Sequence, residues 1–189
     1  MFETAPGKIL YCHAIEQPLF LEMENTLSSI HFHKGLPSEE LIEEYSHSPN
    51  CNIIVLDDLM DSVVSNAEME KLFTLGAHHR RLIIIYINQN LYCQGSKART
   101  ICLNTHFLVL MKNPRGLSSL QCLSRQVFPS NGKFMLQAYN DCMKVSYGYL
   151  LVDLSPTSKE ETRLRSMIFP DEDTGLSNQI KASSHSGND

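Results

Sequence analysis

No apolar run in this 189-residue chain approaches the roughly 20 residues that a membrane-spanning helix needs. The longest is Leu82 to Ile87, and Ile53 to Leu56 is shorter still. No CxxC pair occurs among its six cysteines, Cys12, Cys51, Cys93, Cys102, Cys122 and Cys142. A chain of this length buries a core without covalent staples, so reduced and mostly buried thiols are expected. The opening MFETAPGKIL has neither the basic start nor the apolar stretch of a secretory signal. Together these absences predict a soluble, intracellular protein with no membrane partner, nucleus or cytoplasm unresolved.

Acidic residues are also missing from one long stretch. Between Glu70 and Asp141 there is none, while Lys71, Arg80, Arg81, Lys97, Arg99, Lys112, Arg115, Arg125 and Lys133 supply nine positive charges. The net charge of -5 hides this asymmetry. A basic segment in an otherwise acidic chain points to a surface facing phosphate, of nucleotide, nucleic acid or both. A solvated face with clustered charges is the plainer alternative.

What is present is an alternation. Short β-rich runs start at Lys8 (KILYCH), Ile53 (IIVLDD), Leu82 (LIIIYIN), His106 (HFLVLMK) and Tyr149 (YLLVDL). The middle three are nearly continuous Val, Ile and Leu, the composition of parallel strands covered on both faces, so edge strands are expected at the two ends. Helices are expected over Pro18 to Leu27, Ser38 to Tyr45, Asn66 to Ala77, Leu117 to Val127 and Lys133 to Lys144. Ser38 is a candidate N-cap, with Glu39 and Glu40 suited to the first turn. The rhythm predicts a doubly wound α/β fold.

Strand IIVL followed by Asp57 and Asp58 places two carboxylates at the carboxyl end of a buried strand, where open α/β sheets bind ligands. This is the Walker B pattern. Its chemistry needs one carboxylate, Asp57, on the water shell of Mg²⁺ and a second, Asp58, to orient or deprotonate the attacking water. The competing reading is a helix N-cap, since strands that run into helices often end in Asp. The next strand ends in Asn88, Gln89 and Asn90. Gln89 suits a γ-phosphate sensor, with Asn88 or Asn90 as alternative turn or sensor residues. Arg99 and Arg115 are candidates for an arginine reaching a neighbouring subunit's nucleotide.

The order IIVLDDLM, HHRRLIIIYINQNLYCQG, RTICLNTHFLVLMKNPRG, LSRQVFP and YGYLLVDL resembles the DNA-packaging ATPases of the FtsK/HerA superfamily, from about Lys8 to Pro170. Within it, the chain looks most similar to those of poxvirus-like and Polinton-like (Maverick) elements, viral or integrated in host genomes. The resemblance implies a P-loop NTPase fold of the ASCE (RecA-like) kind, a three-layer parallel sheet. It also implies self-assembly as a ring and threading of double-stranded DNA by hydrolysis of ATP with Mg²⁺. By motif, Asp57 and Asp58 match the family's Walker B acids and Gln89 its sensor.

One part of the pattern is missing. The family begins with a strand, GxxxxGK[ST] and a helix, and no GxxxxGK[ST] occurs here. Without that loop there is no backbone cradle or lysine for the β- and γ-phosphates. The resemblance also places the missing strand inside the sheet, between the sensor strand and the later ones. The expectation is a partial ATPase domain over 1–170, its Walker B half without the first strand, followed by a disordered tail over 171–189. It should not hydrolyse ATP alone. The rival expectations are a non-enzymatic module binding DNA or intact subunits, and a nonfunctional remnant. Zinc at His31 and His33, or at His78 and His79, with Cys51 or Cys93 lacks ligand spacing. A Cys12–His13 nucleophile pair fails because strand neighbours point to opposite faces.

Overall fold

The computed structural model describes residues 6–47, 50–76, 81–91 and 96–169. The sequence-based expectations for His78, His79, Cys93 and the tail over 171–189 lie outside these residues. The chain divides into two compact units, Met1–Asn104 and Thr105–Asp189. The strands are hydrogen-bonded as two sheets, one in each unit.

The first unit is α/β. Its strands β1 (Ile9–His13), β2 (Ile30–Lys34), β3 (Asn52–Asp57) and β4 (Leu82–Ile87) form a wholly parallel sheet in the order β2-β1-β3-β4. In-register neighbours share a face, so Leu10, Ile54 and Ile84 stand on one side and Tyr11, Val55 and Ile85 on the other. On the first side, Leu10, Cys12, Ile54 and Leu56 are buried under Ile42 and Tyr45 of α2 (Glu39–Ser46), Val63 of α3 (Met60–Ser65), Met69 of α4 (Ala67–Lys71) and Ile101 of α5 (Ser96–Leu103). On the second side, Phe20 of α1 (Leu19–Thr26) packs on Tyr11, His13 and Phe32 with ring centroids 5.4, 4.7 and 4.5 Å away.

Local signals set the helix boundaries. Ser38 Oγ accepts the Leu41 N–H at 3.3 Å, capping α2 as its sequence suggests. Asn66 does the same for α4, accepting from Glu68 and Met69, and a π-helical turn, Leu72–Gly76, continues it. At the start of β3, the fully buried Asn52 accepts the Lys8 N–H at 2.8 Å and donates to the Tyr45 carbonyl at 2.7 Å, tying β1, β3 and the end of α2 together.

The second unit pairs β5 (Phe107–Met111), β6 (Tyr149–Asp153) and the short β7 (Leu164–Arg165) in the order β5-β6-β7, all antiparallel. Helices α6 (Leu117–Val127) and α7 (Gly132–Cys142) lie between β5 and β6 in sequence, and they bury Leu120, Leu123, Met135 and Tyr139.

Two expectations are corrected. HFLVLMK is not parallel: β5 runs against β6, and a continuous apolar run does not report strand direction. Nor do the first and last expected strands form edges. IHFHK adds β2 outside β1, and β7 flanks β6, leaving β4 and β5 as outer strands. Their position explains why Ile85, Ile87, Phe107, Val109 and Met111 remain exposed although their sequences read as core.

Candidate active site at the carboxyl end of the parallel sheet

The chain leaves β1 outward to β2, then returns past β1 to β3 and on to β4. The connection through α1 covers one face and that through α2 the other. Winding direction therefore reverses between β1 and β3. In open α/β sheets a crevice opens at such a point, outside the carboxyl ends of the strands, and ligands bind there. His13 and Asp57 are the register partners that end β1 and β3 at this point.

Asp57 is half-buried, and its Oδ2 accepts the Tyr11 hydroxyl at 2.9 Å. Burial first, and then the hydrogen bond and charge of Asp57, push the Tyr11 phenol up to about 12. Tyr11 therefore remains a neutral donor through the physiological range and holds one oxygen of Asp57. Among the described residues, nothing donates a hydrogen bond to the other oxygen. Asp58 is exposed, with a left-handed φ of 54°. Its N–H reaches the Ile87 carbonyl at 3.3 Å, linking the ends of β3 and β4.

Neither aspartate caps a helix. The N-cap of α3 is Leu59, which makes no side-chain cap bond. The plainer reading of the two acids therefore does not apply to this helix.

Gln89 is exposed two residues beyond Ile87, the register partner of Asp57, and so stands at the same end of the sheet as both acids. The turn role falls to Asn88, whose Oδ1 accepts the Asn90 N–H at 2.8 Å. Arg99 is exposed on α5 in the same unit. Arg115 belongs to the other unit, exposed in the turn after β5, its N–H bonded to Asn113 Oδ1 at 3.0 Å.

Two residues have a place in the site that sequence reasoning does not give them. Tyr11 is one, since its link to Asp57 depends on strand register. His13 is the other: only 5% exposed, it lies against Phe20 and Phe32, and its buried Nδ1 has no hydrogen-bond partner. Cys12 faces the opposite core, where burial raises its thiol to about 12, so it forms no nucleophile pair with His13. His33 Nε2 is engaged with the Leu36 carbonyl at 3.1 Å. Among the described residues, no three His, Cys, Asp or Glu side chains converge as a metal site. A Mg²⁺ that keeps most of its water needs only one or two carboxylates, so this does not bear on Asp57 and Asp58.

Among the described residues, no helix is long and apolar enough to cross a membrane. No family model, no curated protein and no solved structure matches this chain, so what the site can do rests on its own geometry.

Proposed function

We propose that the first unit is the Walker B half of a P-loop ATPase that moves double-stranded DNA, of the packaging kind that the sequence resembles. The observation that carries the reading is the placement of Asp57 and Asp58. They end an inner parallel strand at the reversal point of the sheet, uncommitted to helix capping, with Gln89 at the same end of the adjoining strand. In this reading Asp57, oriented by Tyr11, would hold the water shell of Mg²⁺, Asp58 would orient the attacking water, and Gln89 would contact the γ-phosphate. The donor set fits Mg²⁺, since one Asp57 oxygen and an exposed Asp58 carboxylate remain for it. A cradle for the phosphates is not among these residues, and GxxxxGK[ST] occurs nowhere in the chain. Binding of ATP would thus draw on residues outside it. Arg99 and Arg115 remain the candidates for action across subunits of a ring.

The position of β4 supports a second, compatible reading as a module that joins intact subunits. It is the outer strand on the side where the resemblance puts the missing strand, and Ile85 and Ile87 are exposed on it.

The test is nucleotide binding and hydrolysis by this chain, beside a version extended upstream to include GxxxxGK[ST]. Turnover only in the extended form, lost in Asp58→Asn, is the expected result. Turnover by the chain as it stands, or an extended form indifferent to Asp58→Asn, would overturn the proposal.

A further inference from the structure

At one end of the second unit, two turns lie side by side. Met111 and Tyr149 are register partners, so the chain leaves β5 at Lys112 beside the point where Tyr147 and Gly148 lead into β6. Tyr139 fixes the first turn. Its hydroxyl donates to the Met111 carbonyl and accepts the Asn113 N–H, both at 3.0 Å, pinning the main chain on either side of Lys112.

The second turn winds directly off α7. Lys144 N–H bonds the Asp141 carbonyl at 3.3 Å, Val145 N–H that of Cys142 at 3.4 Å, and Gly148 N–H that of Val145 at 3.1 Å. A Cβ at Gly148 would fall 2.0 Å from the Cys142 carbonyl oxygen, so only glycine closes the turn. So wound, Tyr147 has a left-handed φ of 58° and is 97% exposed. Positive φ is unfavourable for a bulky residue, and here no packing of the ring offsets it.

Between the turns lies a cleft of about 340 Å³ whose lining includes Lys112, Lys144, Tyr147, Met111 and Val145. That is at the small end of the range for ligand pockets, about 300–1,000 Å³. Lys144 pairs with Asp141 at 2.7 Å, but both side chains are more than half exposed, and such surface pairs yield readily to a competing anion. Lys112, inside the acid-free stretch, has no ion pair among the described residues.

A solvent-exposed aromatic ring at a cleft that two lysines also line suits a polymer of bases and phosphates. Duplex DNA keeps its base faces stacked inside and has none to offer Tyr147. We infer that this cleft binds single-stranded nucleic acid, with an unpaired base stacked on Tyr147 and the neighbouring phosphates on Lys112 and Lys144. The inference does not rest on the nucleotide reading of the first unit.

The test is fluorescence anisotropy of a labelled oligothymidylate with the whole chain at low salt, without nucleotide, and with an unlabelled duplex as competitor. Asn tolerates left-handed backbone, so Tyr147→Asn removes the ring while keeping the turn. It should weaken binding about tenfold or more, whereas Tyr147→Trp should bind at least as well as the parent. Lys112→Ala and Lys144→Ala should each lower the salt slope by about 0.7. Circular dichroism melts confirm that each variant is folded. Binding by Tyr147→Asn equal to the parent's, equal competition by duplex, or no binding by the parent would each overturn the inference.

Discussion

Tyr11 and Asp57 stand on adjacent parallel strands, two register positions apart, and their side chains meet at the carboxyl end of the sheet through a 2.9 Å hydrogen bond. The bond leaves Tyr11 as donor only while its phenol keeps its proton. Because the folded state raises this group from 10.0 to about 12, its stabilising effect is complete below pH 10 and is lost as pH rises towards 12. Ultraviolet titration of tyrosinate should reveal one phenol ionising near the top of that window. In Asp57→Asn it should ionise earlier, yet still later than a free tyrosine, because burial is the larger cause. An unchanged titration would refute the coupling.

Asn52 makes a second testable joint. Asn52 is itself 0% exposed, so Asn52→Ala leaves the part-buried Lys8 N–H and the buried Tyr45 carbonyl without their partner. The expected loss is about 2–4 kcal/mol, read from urea unfolding. A loss under about 1 kcal/mol would mean that water or backbone movement satisfies both groups.

The two joints show where sequence reading succeeds and where it stops. The composition of IIVLD is enough to place β3 in the core, the bounds of α6 match an amphipathic run, and Ser38 is legible as a cap. All three depend on neighbours in sequence. The run IHFHK has the alternation of a strand, with Ile30 and Phe32 on the α1 side, but it is too short and too polar for its pattern to separate a strand from a loop. The direction of β5, the sharing of Asp57 by Tyr11 and the cleft at Lys112 all depend on pairings between residues far apart. No local periodicity encodes these.

His13 illustrates a cost that only the fold reveals. A buried, unpartnered imidazole nitrogen beside Phe20 and Phe32 destabilises by about 1–3 kcal/mol. His13→Leu replaces it with an apolar side chain among aromatics and should raise the urea midpoint, by about 1 kcal/mol in stability, without changing the m-value. A fall of that size would show that the imidazole makes a stabilising interaction in solution.

Asp58 separates stability from function. Its left-handed backbone, with φ of 54°, costs little for glycine and about 1 kcal/mol for a side-chain-bearing residue. Asp58→Gly should therefore leave the melting temperature of this chain unchanged or raise it by a few degrees. If the carboxylate is kept there to act on water, the same substitution should abolish ATP turnover in the form extended to include GxxxxGK[ST]. Asp58→Asn, which also tolerates the left-handed region, should abolish turnover with no gain in stability. If Asp58→Gly is both more stable and fully active, the strain at Asp58 serves no chemistry. If Asp58→Gly is less stable, the carboxylate contributes to the fold, and its place at the end of β3 is explained without a nucleotide.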